Sequence, residues 1–386
     1  MLAFLYFVQM LINLPKMLVL SWNNMIFLPQ QSPLEPPLSF RISTLPIINN
    51  PQLWATPSDF LQKINISICH HKKSVDWWRL DDRSVKENKN CSRIFELSAK
   101  KSHRVTVKID GNEYSEVVNV PKKFWLAAIG DSFSSGQGNP NIEKTDGKPA
   151  EWLNEPCHRS SKAFPYVVSQ KIPYSSLTFL SCSGATVENG ILSKNGQLDS
   201  LESLISANGA SPDALFLTIG GNDIGFTDVI SLIQRDRNID DRFDMRFFFV
   251  SHQIDRVAWK LKELKIQRVV VMDYYDITKN ENGKVDASCG AFGQVSLSNL
   301  QLAERKILQR LNTLIRRKAK EHGWITVDTR EIFRTRGICS KDSLIRSKNE
   351  SLLIQGNEYG SFHPNQEAHR LISEEVLKTF RRIQVV

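Results

Sequence analysis

The sequence predicts an α/β protein: a three-layer α/β/α domain around a central parallel sheet of about five strands, preceded by a small β-rich domain. Three observations predict it. Apolar runs recur without polar alternation at "FWLAAIG" (124–130), "SLTFLSC" (176–182), "ALFLTIG" (214–220), "RVVVMDYY" (268–275) and "WITVDT" (324–329), as buried parallel strands require. Amphipathic helical patterns separate them, among them "LDSLESLISA", "FFFVSHQIDRVAWKLKELK" and "SLSNLQLAERKILQRLNTLIRRKAKEHG", and "NQEAHRLISEEVLKTFRRI" closes the chain. Before residue 122 the rhythm is different, with short alternating runs and an Asp110-Gly111 pair inside "HRVTVKIDGNEYSEVVNV" that signals a hairpin.

Taken in order, residues 1–28 are apolar, with Lys16 as their first charge. A secretory signal is the favoured reading, although the basic n-region and small-residue cleavage site are missing. An uncleaved anchor is the second reading, opposed by Pro15 and Asn13 within the apolar stretch; a start at Met10 or Met17 is the third. Residues 29–52 hold Pro29, Pro33, Pro36, Pro37, Pro46 and Pro51, a density that reads as an extended linker. Residues 53–121 form the β-rich accessory domain, and 122–386 the α/β domain. Crossovers in a parallel sheet are right-handed, so the loops at the strands' carboxyl ends gather on one edge, where open α/β sheets bind ligands.

At 386 residues the chain can bury a large core, and 41% apolar with 24% charged residues is ordinary for a globular protein. The net charge of +9 is scattered. Its dense patches, Arg316-Arg317-Lys318 and Arg381-Arg382, fall in helical patterns and read as solvated faces, which argues against a nucleic-acid partner. Six cysteines without a CxxC pair fit an oxidised, exported protein better than a zinc site. Fifteen pairings exist in principle; joining neighbours, Cys69–Cys91, Cys157–Cys182 and Cys289–Cys339, keeps each bridge in one structural unit. Six buried thiols is the alternative. Sequons at Asn65, Asn90 and Asn349 are compatible with export but arise by chance in a chain this long.

Three strand ends and one late loop carry chemistry-bearing residues: Gly130-Asp131-Ser132, "SCSGAT" with Gly184, "TIGGNDIGF" with Asn222 and Asp223, and "YGSFHPN" with His363. Each tripeptide alone is weak, because Gly, Asp and Ser are ordinary turn residues. In this order they resemble the SGNH, or GDSL, hydrolase family, most closely its secreted, disulfide-containing lipase and esterase branch. The resemblance covers roughly 122–386 and includes "CHRSSKAFPYVV" (157–168). The GxSxG elbow of ordinary α/β-hydrolases is absent, since Ser134 stands at its second glycine.

The resemblance implies Ser132 as nucleophile, His363 as its general base, and the main-chain N–H groups of Ser132 and Gly184 with the Asn222 amide as oxyanion donors. No metal or organic cofactor is implied. The family often carries an aspartate three residues before the histidine; here that position is Gly360. The expectation is a Ser–His dyad with the Gly360 carbonyl holding the imidazole, and Glu358 as the less favoured acidic substitute.

Other candidates read as structural. Asp131 shapes the turn, and Asp223 buttresses its loop or caps the next helix. His70, His71 and His158 lack metal-ligand spacing, and His369 reads as a surface residue. Trp77-Trp78 reads as a small core, with sugar or lipid binding second. The function expected is hydrolysis of carboxylic esters of lipids or acylated glycans through an acyl-serine, outside the cytoplasm, with transient membrane-surface contact. A catalytically inactive binding protein that uses the β-domain for attachment is the competing class. Oligomeric state is not legible.

Overall fold

The computed structural model describes residues 38–44, 61–81, 83–84, 89–99, 101–120, 122–235 and 242–384. The expected signal segment, and all of the proline-rich stretch except 38–44, lie outside the described residues.

Strands β1 (Arg41–Thr44), β2 (Leu61–Ser67) and β5 (Ser92–Ser98) form one antiparallel sheet in the order β1-β2-β5. Strands β3 (Trp77–Leu80), β4 (Arg83–Ser84), β6 (His103–Ile109) and β7 (Asn112–Val118) form a second, ordered β4-β3-β6-β7. Asp110-Gly111 makes the β6–β7 turn, with Asp110 and Gly111 both at positive φ, as a two-residue hairpin turn demands. Trp78 is buried and meets Phe95 of the other sheet edge-on, ring centroids 6.0 Å apart. It is core. Its neighbour Trp77 instead carries the Arg79 guanidinium over its ring.

Five strands build the main sheet: β8 (Phe124–Ile129), β9 (Ser175–Phe179), β10 (Ala214–Leu217), β11 (Val269–Met272) and β12 (Ile325–Val327). All pairs are parallel, in the order β12-β11-β10-β8-β9. β10 and β11 are buried along their whole length, which is why their sequences do not alternate. Helices α1 (Ser132–Ser135), α2 (Phe164–Lys171), α3 (Gln197–Asn208), α4 (Phe226–Gln234), α5 (Arg242–Glu263), α6 (Leu297–Ala303), α7 (Arg310–His322), α8 (Arg330–Phe333), α9 (Lys348–Gln355) and α10 (Gln366–Arg382) follow in chain order; α2 packs on α10, and α5 on α7. No helix among the described residues is long and apolar enough to cross a membrane.

The strand order places the site. From β8 the chain steps outward to β9, then returns past β8 to β10, so the winding reverses between β8 and β10. A crevice opens at the carboxyl ends of strands where such a reversal occurs. Ser132 follows β8 and Asn222 follows β10.

Disulfides join Cys69–Cys91, Cys157–Cys182 and Cys289–Cys339, and no cysteine is free among the described residues. The first lies between β2 and β5. The second ties the loop before α2 to the loop after β9, which carries Gly184.

Candidate active site

Ser132 opens the short helix α1 (Ser132–Ser135), whose N-cap is Asp131: its carboxylate accepts the Phe133 N–H at 3.0 Å. The same carboxylate accepts Thr218 Oγ1 at 2.9 Å and the Tyr274 hydroxyl. Gly130, at φ +140°, is gripped through both its N–H and its carbonyl by the Gln197 amide, at 2.7 and 2.9 Å. Ser134 Oγ bonds Ser181 and Thr218 below the turn. Ser132 is left half-exposed at the top.

The structure brings His363 to it, with Nε2 2.8 Å from Ser132 Oγ. On the far side of the ring Nδ1 lies 3.0 Å from the Ser361 carbonyl, which fixes Nδ1 as the protonated nitrogen and Nε2 as the acceptor. That carbonyl is one residue beyond the expected one. The Gly360 carbonyl instead accepts the main-chain N–H of His363, at 3.2 Å. A left-handed Phe362, φ +63°, sits between Ser361 and His363, and the turn it makes brings the Ser361 carbonyl beneath the imidazole. Burial lowers the His363 pKa to about 4, only partly opposed by the Ser361 and Gly360 carbonyls, so the ring is neutral at pH 7. Glu358 pairs with Lys348 at 2.8 Å on the exposed rim and is not among the groups that set the imidazole's charge.

Of the expected oxyanion donors, the Ser132 and Gly184 N–H groups have no hydrogen-bond acceptor among the described residues. Gly184 adopts φ +78° with open space where a β-carbon would point, so substrate can approach its backbone. Asn222 Nδ2 donates to the Ala185 carbonyl at 2.9 Å, which aims the amide and leaves its second N–H free. Asp223 accepts the Val187 N–H at 2.9 Å and so ties the loop after β10 to the loop after β9; burial raises its pKa to about 6. It buttresses, but it does not cap the next helix, α4 (Phe226–Gln234), whose N-cap is Gly225.

One residue passed over in the sequence reading belongs here. Tyr274, just beyond β11, donates its hydroxyl to Asp131 and accepts the Gly221 N–H at 3.0 Å. Asn312 pins its main chain from both sides, at 2.8 Å each. A β-carbon at Gly221 would lie 2.7 Å from the Tyr274 ring, which is why glycine precedes Asn222. The hydroxyl thus couples the residue before Ser132 to the residue before Asn222. A polar-tipped aromatic at a strand's carboxyl end, in "VVVMDYY", was the available signal. His369 corrects another reading. It is fully buried, and its Nδ1 accepts the Phe164 N–H at 3.2 Å, joining α10 to α2.

Two pockets meet at Ser132 and His363. One is apolar, walled by Val229, Ile230 and Ile233 of α4 and by Ile307, Leu308 and Leu311. Ile307 and Leu308 lie on a π-helical segment, Glu304–Gln309, that interrupts the helix continuing into α7; the wider turn is a common device for shaping sites. The other pocket, between Gln137, Gly184, Ser361 and Tyr359, carries more polar groups in its lining and opens to solvent.

A sequence model of the GDSL-like Lipase/Acylhydrolase family matches residues 128–371. Lipase 1 of Streptomyces coelicolor is 27% identical over 229 residues, covering 58% of this chain and 75% of that protein. Among solved structures, phospholipase A1 of Streptomyces albidoflavus is 24% identical with a TM-score of 0.48, covering 67% of this chain and 99% of that one. The extracellular lipase of Streptomyces rimosus is 20% identical with a TM-score of 0.46, over 67% of this chain and 98% of that one. With its family profile spanning well over half of its length, the chain belongs to the GDSL-like lipase/acylhydrolase family and is a hydrolase of the lipase/esterase type.

Proposed function

We propose that this enzyme hydrolyses carboxylic esters of apolar acyl chains through an acyl-serine at Ser132, with a Ser–His dyad. The observation that carries this reading is the 2.8 Å contact between Ser132 Oγ and a neutral His363 Nε2 at the mouth of an apolar pocket. A serine hydroxyl is a weak nucleophile until a base removes its proton. His363 Nε2 takes that proton as Oγ bonds to the ester carbon. The negative charge that develops on the former carbonyl oxygen is met by the Ser132 and Gly184 N–H groups and the free Asn222 N–H. Collapse breaks the bond to the alcohol oxygen, which leaves with the proton from Nε2. Water then repeats the sequence on the acyl-serine, and Ser132 is restored. The acyl chain lies against the α4 wall, and the alcohol half lies toward solvent.

Three disulfides support action in an oxidising compartment, and the β-rich residues 53–121 are an accessory unit outside this chemistry. A fluorophosphonate probe tests the mechanism. It should label the wild type at Ser132, and Ser132→Ala should abolish labelling and cut turnover by about 10⁴–10⁶-fold. Turnover unchanged in Ser132→Ala would overturn the mechanism.

A further inference from the structure

We propose that Arg159 is a positioning residue of the oxyanion hole: its guanidinium fastens the loop that bears Gly184, and its unpaired positive charge favours the anion formed there. The proposal rests on the ester-hydrolase reading above and deepens it by assigning a residue outside the reacting groups.

The stretch "CHRSSKAFPYVV" (157–168) contributes none of the reacting groups, yet its first four residues touch both sides of the site. Just beyond β9 the chain keeps its main-chain N–H groups on the strand end that leads to Ser132. Leu180 and Ser181 donate to the Ala128 carbonyl at 2.8 and 3.1 Å, and Cys182 donates to the Gly130 carbonyl at 3.0 Å. The Arg159 guanidinium holds the carbonyls on the other edge of the same segment. Its Nε donates to Ser181 at 2.8 Å and its Nη2 to Leu180 at 3.3 Å. The Cys157 carbonyl accepts the Ser183 N–H at 3.1 Å, and Gly184 follows with its own N–H unbonded. Toward the nucleophile, the Ser160 N–H donates to the Ser135 carbonyl at the end of α1, at 2.9 Å. Residues 157–160 therefore link the helix that opens with Ser132 to the loop that carries Gly184. The Cys157–Cys182 bridge limits how far these parts can separate, but it does not set the peptide planes. A guanidinium bonded to two successive carbonyls does, because its donors are fixed in one plane.

The charge is the second observation. Arg159 is half-buried, and no carboxylate among the described residues shares its charge: burial alone lowers its pKa, to about 10, so it stays protonated at neutral pH. A cation withdrawn from water without a counter-ion is costly. The backbone is strained beside it, with His158 at φ +45°, a region that residues with side chains seldom occupy. Gly184 follows Ser181 by three residues, so chain reach keeps the guanidinium within about 13 Å of the Gly184 N–H. At an effective dielectric of about 20, a unit charge at that distance alters the population of an anion about 10-fold.

The test compares Arg159→Lys, which keeps the charge, with Arg159→Gln, which keeps a donor and loses the charge. On 4-nitrophenyl octanoate, Arg159→Gln should lower kcat by about 100-fold with KM within about 3-fold, and Arg159→Lys should lower it by about 10-fold. Two inhibitors separate positioning from a merely structural role. Octylboronic acid takes Ser132 Oγ onto boron while the proton passes to His363, which leaves a tetrahedral anion in the hole. Its inhibition should weaken by about 100-fold in Arg159→Gln, whereas binding of octanol, a neutral occupant of the apolar pocket, should change less than about 2-fold. A kcat within about 3-fold of wild type in Arg159→Gln, equal losses in the two variants, or equal weakening of boronate and octanol overturns the proposal. Should Arg159→Gln fail to fold, Arg159→Lys decides: a loss in kcat with octanol binding kept supports the assignment, and a loss confined to KM refutes it. Hydrogen–deuterium exchange distinguishes this from failure of the hydrolase reading. Residues 180–186 should exchange about 10-fold faster in either variant, with β10 unchanged, even in a protein whose Ser132 resists fluorophosphonate. Unchanged exchange at 180–186 refutes the clamp.

Discussion

Around Ser132, one carboxylate takes up three donors, from Phe133, Thr218 and Tyr274, whereas the His363 loop is held largely through its main chain. The Phe362 N–H donates to the Arg346 carbonyl at 2.9 Å, and the Arg346 N–H to the His363 carbonyl at 2.8 Å. The Ser361 N–H donates to the Glu358 main-chain carbonyl at 2.9 Å. Side chains enter mainly as supports: Ser351 Oγ accepts the Gly360 N–H, and the Tyr275 hydroxyl donates to the Phe362 carbonyl. Ser132, the proposed nucleophile, is therefore held by a network that point mutations can dismantle one group at a time. His363, the proposed base, is held by chain geometry, which responds to whether a residue fits rather than to which functional group it bears.

Gly360 is the sharpest place to break that contrast. A β-carbon there would lie 2.7 Å from Gly138 Cα and 2.8 Å from Ser351 Oγ. The aspartate common at this position in the family has no room, because the histidine loop packs directly on the loop that follows α1. Gly360→Asp should thus not create a triad. Pushing the two loops apart should lower kcat by about 100-fold or more, as small displacements of reacting groups do, and should lower stability by about 1–3 kcal/mol. Esterase assays with thermal melts check this; activity at or above wild type would show that the loop yields and that the main-chain account is wrong.

The same contrast explains what the sequence made legible. Ser132, Gly184, Asn222 and His363 were legible as candidates because the ordered blocks that hold them resemble the SGNH family and because each follows a recognisable strand end or precedes the last helix. The five strands were legible for a similar reason, since burial on both faces writes itself as unbroken apolar runs. The carbonyl beneath the imidazole was not. It depends on a left-handed Phe362, whose ring stacks on Phe292 at 5.6 Å, a contact between segments about seventy residues apart. His369 misled for a like cause: six residues beyond His363 it has no helical partner in sequence, yet α2 supplies one through Phe164. The π-helical segment at 304–309 is likewise invisible in a continuous amphipathic pattern.

Tyr274→Phe tests the nucleophile's side of the comparison. It removes one hydroxyl and keeps the ring against Gly221, so the oxyanion donors lose their shared tie but remain present. We expect kcat to fall about 10–100-fold with KM within about 3-fold, less than the 10²–10³ typical of deleting a donor outright. In an Asn222→Ala background the further loss should be small, because the two residues act on one donor set. Losses that simply multiply would show that Tyr274 does not work through Asn222.

The acid limb reports on the base. Burial disfavours the imidazolium, and neither carbonyl restores it as a carboxylate would, so protonation of His363 is postponed to about pH 4. In the proposed mechanism neutral imidazole is the active form; activity is therefore expected above that pH and lost as pH falls through it. At pH 5 about 90% of an imidazole with that pKa is neutral, against about 3% for an unperturbed one at 6.5. The rate of fluorophosphonate labelling between pH 3.5 and 8 should show a single inflection near 4. An inflection near 6.5 would mean that a charge partner or solvent reaches the ring.

The smallest expected effect is the most discriminating one. Glu358 is the nearest acidic side chain before His363 in the sequence, and a triad-minded reading would assign it the aspartate's task. Its carboxylate, however, pairs with Lys348 at 2.8 Å, and both groups are more than half exposed. An exposed pair of this kind contributes about 0–1 kcal/mol, while Nδ1 of the imidazole is already occupied by the Ser361 carbonyl. Glu358→Gln keeps the shape of the rim and removes only the charge. Turnover of a soluble aryl ester should stay within about 3-fold of wild type, with the acid inflection unmoved. Neutralising a carboxylate that truly orients a catalytic histidine costs about 10⁴-fold, equivalent to about 5 kcal/mol in the barrier. Steady-state kinetics resolves a gap of that size easily. A loss above about 1,000-fold would return Glu358 to the dyad as its third member and would mean that the loop around His363, like the turn around Ser132, is governed by side chains after all.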